Sequence, residues 1–480
     1  MRSVRFLFIA GVAAQLTWAN EPGALASHPD VDSAIRVLDA WIASRVKDRE
    51  QPGLSIGVVH DRQLIWSKGY GFADLEKKSP ATPSTLYRIA SITKTFTSTA
   101  VMQLRDSGKL RLDDPVARHL PWFKIRNNHP DAPVVTIRHL LTHTSGLPRE
   151  AVGVNWTDVA FPGREDMVRR LPEQETVFPT ETEWKYSNLA FSLAGEVVAA
   201  VSGKAWNRYI DDHILSPLGM TSTQTLPERG TPGLATGYGR RVPMKSRLLR
   251  PFVDIAAERP AGNMASNVED LARYLAFHMS DQEQARAQVL KGSSLREMHR
   301  VQWLRDDWQG GWGLGFSIRR AGDQVRVGHG GSLPGHRSQI EFAPADKLAV
   351  IVLTNADDGD PGRYVDQAFT LLTPAVKRAT EAKKTPAVAD PSWDKYTGVY
   401  VSDQSEVNVM LLGGELVLIA PEEENPWQAR ILLKPVSANT FRMTAASFSY
   451  GAIGELLTFE VGTDGRVTRM RTASSHWRRK

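Results

Sequence analysis

The sequence predicts two unlike parts, an α+β body of the α/β type followed by a small all-β module. Three observations carry this reading. Segments with helical and with strand periodicity interleave along the first three quarters of the chain. KRATEAKKTPAVADP (377–391) then brings two prolines, several charges and little to bury, and reads as a linker. Beyond it, residues 392–480 contain only alternating apolar runs broken by turn signals. Interleaved elements followed by strands alone describe two separately cored units, and 480 residues exceed what one core ordinarily organises. The expected partition is a leader at 1–26, a body at 27–376, the linker at 377–391 and the β module at 392–480.

Taken in order, DSAIRVLDAWIASRVKD (32–48) spaces Ile35, Leu38, Trp41, Ile42 and Val46 as one helical stripe, with Asp32 placed to cap it. LSIGVVHDRQLIWSKGYG (54–71) reads as two strands joined at His60-Asp61-Arg62. A helix opened by Ser91 runs to Ser107-Gly108, where glycine supplies the stop. TIRHLLTHTSGLP (136–148) is a short helix ending in a turn, and NLAFSLAGEVVAAVSG (188–203) and NVEDLARYLAFHM (267–279) are longer helices. GWGLGFSIRR, QVRVGHGG, RSQIEFAP and KLAVIVLTN (311–355) follow as strands, and AFTLLTPAVK (368–377) as a closing helix. In the β module, Gly413-Gly414 and Asp464-Gly465 mark hairpins.

Composition is globular, 41% hydrophobic and 23% charged, and a net charge of +6 on this length reads as a solvated surface. No nucleic-acid motif is present. MRSVR followed by FLFIAGVAAQL and the small residues around Ala19 and Ala26 has the form of a secretory signal, too short for a permanent span. Cleavage after Ala19 or Ala26 and export to a periplasmic or extracellular space are expected, with no permanent membrane span afterwards. The chain has no cysteine, which excludes disulfides, thiolate metal sites and a cysteine nucleophile.

Ser-x-x-Lys occurs at Ser44–Lys47, Ser91–Lys94 and Ser392–Lys395. In the second copy the serine opens a helix, so hydroxyl and amine share a helical face. Unpaired first-turn N–H groups there can hold an oxyanion, and the positive helix end pushes the lysine toward a neutral base. A serine hydroxyl needs such a partner to act as a nucleophile. Taken alone the segment is equally well a capped helix with a surface lysine, which is the better reading for the other two copies. His139 and His143, spaced i,i+4, suggest a shared metal, but no glutamate stands between them in the His-Glu-x-x-His manner, and no metal or other cofactor is expected.

Tyr186-Ser187-Asn188 is the one Tyr-x-Asn in the chain and His329-Gly330-Gly331 the one His-x-Gly. With Ser91-x-x-Lys94 in this order, and with LLTHTSGLP (140–148), SPLGMTST (216–223), AGNMASNVEDLARY (261–274), GWGLGF (311–316) and GHGGSLPGHRS (328–338), the chain resembles the serine β-lactamase and penicillin-binding-protein superfamily. It is most similar to the class C-like branch of D-aminopeptidases, D-Ala-D-Ala carboxypeptidases and β-lactamase-fold esterases. The resemblance spans roughly residues 33–375. It implies a central antiparallel sheet flanked by helices, a helical subdomain and serine hydrolase activity through an acyl-enzyme.

It further implies Ser91 as nucleophile, Lys94 as its proton-accepting neighbour and Tyr186 as a second acid or base, with either of the two taking the serine proton. Asn188 would hydrogen-bond a substrate carbonyl, and the backbone N–H groups of Ser91 and Ser332 would form the oxyanion hole. His329, Gly330 and Gly331 would line the substrate side. His329 replaces the lysine of typical β-lactamases, weakening carboxylate recognition there and leaving a charge only below roughly pH 6.5. Arg149 or Lys185 would compensate. The implied substrate is a small molecule or peptide, an ester, amide or D-amino-acid peptide, peptidoglycan fragments included. A β-lactam or a D-Ala-D-Ala peptide is the alternative, and a non-catalytic penicillin-binding sensor the rival of another class. The β module, opened by YTGVY (396–400), resembles the family's lipocalin-like extensions.

Overall fold

The computed structural model describes residues 25–280, 289–381, 390–403, 405–412, 415–420, 430–445 and 453–480. The expected leader falls almost wholly outside these residues, as does the Gly413-Gly414 turn. The chain divides into two compact units, Met1–Ala379 and Thr380–Lys480.

The first unit is built on a nine-stranded sheet. Its strands are β1 (Gly53–His60), β2 (Gln63–Asp74), β3 (Ser79–Pro80), β6 (Trp303–Leu304), β7 (Gly310–Trp312), β8 (Ser317–Ala321), β9 (Gln324–Leu333), β10 (His336–Ala343) and β11 (Leu348–Thr354). They run in the order β3-β2-β1-β11-β10-β9-β8-β7-β6, every neighbouring pair antiparallel. A separate short pair joins β4 (Tyr87–Arg88) to β5 (Ala265–Ser266).

The continuous apolar run KLAVIVLTN is explained by burial on both faces, because each strand sends alternate side chains to opposite sides. Along β11, Leu348, Val350 and Val352 enter one core with Val31, Leu38 and Ile42 of the helix Pro29–Asp48 and with Val365, Phe369 and Leu372 of the helix Pro361–Glu381. Ala349, Ile351 and Leu353 enter the other core, with Phe96, Phe191 and Leu271 of the helices Thr93–Asp106, Asn188–Ser202 and Val268–His278.

Two boundaries differ from the sequence reading. The first helix begins at Pro29 with His28 as its cap, Nδ1 accepting from the Asp30 N–H at 3.3 Å, and Asp32 sits inside the first turn. The closing helix runs from Pro361 to Glu381, so the expected linker begins with helix. Its buried residues Tyr364, Val365, Ala368, Phe369, Leu372, Ala375, Val376 and Ala379 keep a spacing of three and four through the charged stretch, and packing of that stripe overrides both Pro374 and the charges.

The second unit is a closed barrel of eight strands, β12 (Gly398–Val401), β13 (Glu406–Leu412), β14 (Glu415–Ile419), β15 (Ile431–Ser437), β16 (Thr440–Ala445), β17 (Leu456–Val461), β18 (Val467–Arg471) and β19 (His476–Arg479). Pairing of β12 with β19 closes it and removes free sheet edges. Tyr400, Leu416, Phe441, Leu457, Phe459 and Met470 fill its interior.

Candidate active site

Ser91 does not open the α-helix directly. It is the middle residue of a 3₁₀ turn, Ala90–Ile92, and the α-helix starts at Thr93. Ala90 holds a left-handed φ of 48°, a conformation that costs a non-glycine residue energy and persists only where packing enforces it. The enforcing contacts come from the sheet. Ser338 Oγ donates to the Ile89 carbonyl at 3.0 Å, and a Cβ on Gly331 would stand 2.2 Å from that same oxygen. Glycine at 331 is therefore what lets β9 approach the turn that carries Ser91.

The sheet register also decides which amides face that turn. Leu333 and His336 close the Pro334-Gly335 turn, which makes Gly331–Ser338 a hydrogen-bonded position and Gly330–Gln339 and Ser332–Arg337 non-bonded ones. Consistently, the Arg337 carbonyl points toward β11, accepting from Thr354 Oγ1 at 3.1 Å. The N–H groups of Gly330 and Ser332 thus face the far edge of β9. β8 pairs only with Gln324–Gly328 and leaves that edge open.

Lys94 is fully buried. Its Nζ lies 3.2 Å from Ser91 Oγ and donates to Asn188 Oδ1 and to the Ala261 carbonyl, each at 2.7 Å. Both of the latter partners can only accept. A neutral amine has two N–H bonds and one lone pair, so its hydrogens are spent on Asn188 and Ala261 and its lone pair is left for the Ser91 hydroxyl. Burial brings its pKa down to about 7, against the opposing pull of Glu258 and Glu150 and with help from Arg149. Desolvation, rather than the helix end, is what makes this lysine a base.

Asn188 is held from its other side, Nδ2 donating to Glu150 Oε1 and Oε2 at 3.0 and 2.9 Å. Its carboxamide thus links Glu150 to Lys94 at the wall of the cleft, where the resemblance implies a substrate contact. Glu150 also accepts from Trp156 Nε1 at 3.0 Å. Behind it Glu258, nearly inaccessible, accepts from the Ala151 N–H at 3.0 Å, and burial together with the Glu150 charge raises its pKa well above the usual carboxylate range.

Burial raises the Tyr186 pKa above that of a free phenol, against the opposing pull of the neighbouring Ser91 hydroxyl, so it keeps its proton at neutral pH. Lys94 Nζ sits 4.9 Å from the centre of its ring. The loop after the helix Ile137–Thr142 places it. His143, left-handed at φ 61°, packs its ring 4.4 Å from Tyr186, and its Nδ1 accepts from the Ser187 N–H at 3.1 Å. His139 closes a capping box with Thr136. Both histidines have structural tasks, and among the described residues no three His, Cys, Asp or Glu side chains are grouped to hold a metal.

His329 departs from its expected behaviour. Its Nδ1 lies 2.6 Å from the Gly330 carbonyl, which can only accept, so Nδ1 carries the hydrogen. Nε2 is then a buried lone pair with no hydrogen-bond partner in the protein. Burial, with Lys94 adding to it, pushes the pKa down to about 3, so this residue supplies no charge in mildly acid solution.

Ser91, Tyr186, Asn188, His329, Gly330, Gly331 and Ser332 all line one cleft of about 1160 Å³, with Lys94 directly beneath. Of the two residues expected to replace the missing lysine charge, Arg149 lines the cleft but pairs with Glu150 at 3.0 Å, and Lys185 is not among the lining residues. Sequence reasoning passed over Glu150, Glu258 and the Ala261 carbonyl. A family profile described as Beta-lactamase matches residues 38–374. The chain belongs to the beta-lactamase family.

Within this family of serine hydrolases, the chain is 28% identical over 360 residues to Beta-lactamase-like protein 2 of Dictyostelium discoideum, covering 73% of this chain and 65% of that protein. It therefore spans somewhat less than two thirds of that relative's length. In structure it is similar to the octameric penicillin-binding protein homologue of Pyrococcus abyssi, with a TM-score of 0.62, 25% identity and coverage of 92% of this chain and 99% of the other. The fold is also that of EstCE1, a hydrolase with promiscuous acyltransferase activity, at a TM-score of 0.61, 21% identity and coverage of 71% of this chain and 99% of the other.

Proposed function

We propose that the protein hydrolyses esters or amides through an acyl-enzyme on Ser91. The observation that carries this is the buried Lys94 amine, 3.2 Å from Ser91 Oγ with both hydrogens committed elsewhere and a pKa of about 7. Neutral Lys94 takes the Ser91 proton as Oγ attacks the substrate carbonyl. The new C–O bond leaves the carbonyl oxygen negative, and the N–H groups of Ser91 and Ser332 stabilise it. As the tetrahedral centre collapses, the bond to the leaving alkoxide or amine breaks, and that group receives a proton from the Tyr186 hydroxyl, which Lys94 resupplies. Water then repeats the sequence on the acyl-enzyme, releasing the acid and restoring Ser91.

The roles of Lys94 and Tyr186 follow from their opposite shifts. Burial disfavours the ammonium of one and the phenolate of the other, so near neutrality the amine is available to accept and the phenol to donate. The test is intact-mass analysis of the mature protein during turnover of p-nitrophenyl acetate. An acetyl adduct mapped to Ser91 is expected, and neither adduct nor turnover with any activated ester would overturn the reading. The charged-then-apolar N-terminus supports export, expected to appear as loss of at least residues 1–19 on N-terminal sequencing of the mature protein.

A further inference from the structure

One exposed segment of the first unit is fastened at its base and strained at its tip. YGRRVPMKSRLLR (238–250) folds back on itself as a narrow hairpin. Tyr238 pairs with Leu249, the Gly239 N–H donates to the Leu248 carbonyl at 2.7 Å, and the Lys245 N–H donates to the Val242 carbonyl at 3.1 Å. Three ion pairs hold the base. Arg241 Nε donates to Glu50 Oε2 at 3.0 Å, Arg247 Nη1 to Asp358 Oδ1 at 2.6 Å and Arg250 Nε to Asp357 Oδ2 at 2.5 Å. Pro243 and Met244 are the central residues of the turn, and Met244 holds a left-handed φ of 62°. Proline followed by a left-handed residue is the type II pattern, which calls for glycine or asparagine where this chain has methionine. The Met244 side chain is wholly exposed, with Val242, Leu248 and Leu249 exposed beside it. Neither turn chemistry nor packing accounts for a bulky apolar side chain there, and strain kept in a fastened frame points to use.

The cations of the same hairpin say what it meets. Glu50, Asp358 and Asp357 neutralise Arg241, Arg247 and Arg250. Arg240 and Lys245 are exposed and have no carboxylate partner among the described residues. The surplus is positive, so the complementary surface is anionic, and it must also accept apolar side chains from a protruding turn. A protein partner needs a broad complementary face, about 800 Å² on each side, which a four-residue tip does not offer. The boundary between lipid headgroups and acyl chains takes exposed apolar side chains, and anionic lipid draws the Lys and Arg that flank them. Arg240 at one end of the hairpin and Arg250 at the other line the cleft wall. We infer that the hairpin docks the mouth of the cleft onto an anionic phospholipid surface, so that the cleft works on esters carried in that layer. Val242 and Met244 enter the lipid, while Arg240 and Lys245 meet its phosphates. The docking stands by itself, and the action on lipid-borne esters rests on the hydrolase reading above.

The experiment measures co-sedimentation of the mature protein with vesicles of phosphatidylcholine alone and of phosphatidylcholine mixed with phosphatidylglycerol. Wild type should pellet with the mixed vesicles, less with the neutral ones, and less as salt is raised. Met244→Gly and Lys245→Glu should each lower the partition coefficient by about tenfold. Glycine suits the left-handed position, so Met244→Gly should unfold at or above the wild-type Tm while losing the lipid, a split that a merely structural methionine would not give. Arg62→Glu and Val325→Ser make comparable changes of charge and exposed apolar surface at the ends of β1 and β9 remote from Gly53 and Leu333, and should leave partition in place. Wild type that stays in solution with the mixed vesicles, tip variants that bind as wild type does, or an equal loss in Arg62→Glu and Val325→Ser would overturn the docking. p-Nitrophenyl palmitate carried in the mixed vesicles should be hydrolysed in proportion to the bound fraction across the variants. Palmitate rates indifferent to binding would refute the action on lipid-borne esters. Binding with no turnover of either the palmitate or p-nitrophenyl acetate would overturn the hydrolase reading and leave the docking standing.

Discussion

Ser91–Lys94 and Ser44–Lys47 have the same spacing, and in each the lysine lies on an α-helix of the same unit, yet they share no chemistry. Ser44 and Lys47 are exposed near the end of the first helix, and the Ser44 hydroxyl donates to Asp48 Oδ2 at a long 3.4 Å. Lys94 is sealed beneath the cleft, with its hydrogens assigned and its charge opposed by burial. The third copy, Ser392–Lys395, is exposed as well, its amine 4.9 Å from the Tyr396 ring. Spacing brings a lysine to a serine; desolvation is what makes it a base.

The sharpest way to break this comparison is to remove each serine. Ser91→Ala is expected to lower kcat by about a thousandfold or more, the cost of losing a covalent nucleophile. Ser44→Ala and Ser392→Ala should match wild type, and an acyl adduct on either serine would sink the distinction. The next largest effect concerns the amine. Only its neutral form accepts the serine proton, and below the pKa it is ammonium. Activity must therefore rise with pH through about 7 and level off above it. Lys94→Arg, always charged, should lose about a hundredfold or more at the plateau and show no such limb. A limb that survives in Lys94→Arg would assign it to another group.

Much of this was legible in the sequence, for identifiable reasons. KLAVIVLTN reads as a strand because its apolar run is short and unbroken, and β11 is buried at every position on both faces. The three motifs could be read because each packs its chemistry into three or four neighbouring residues. What stayed hidden depends on contacts distant in sequence. Glu258 reaches the neighbourhood of Glu150 through the Ala151 N–H, 107 positions away along the chain. The cause of the lysine shift lay there too, since a helix end can be seen in a sequence and burial under Asn188 and Ala261 cannot. His329 looked chargeable because only its backbone partner, Gly330, and its burial make it neutral. The closing helix was cut short because charges at 377–381 masked a stripe that continues to Ala379.

The smallest expected effect tests the carboxyl pair behind Lys94. Glu150 and Glu258 both pull the Lys94 pKa upward, against burial. They do not act independently, because the charge on Glu150 is one of the causes that keep Glu258 protonated. The two groups thus share negative charge between them. Glu150→Gln keeps an acceptor for the Asn188 amide and removes the charge, but it also lets the Glu258 pKa fall, so Glu258 ionises more readily and restores part of what was lost. The pH–rate limb should therefore move only slightly toward acid in Glu150→Gln. It should move further in the double variant Glu150→Gln/Glu258→Gln, where neither carboxylate remains to favour the ammonium and the amine is neutral at lower pH. The plateau rate, set by Ser91, Lys94 and Tyr186, should change much less than the midpoint. Measuring kcat/KM from about pH 5 to 9 in wild type and both variants decides the matter. A single variant that shifts the limb as far as the double one means that Glu258 carries no compensating charge, and a shift toward alkaline pH in either means that the pair does not act on Lys94 by charge at all.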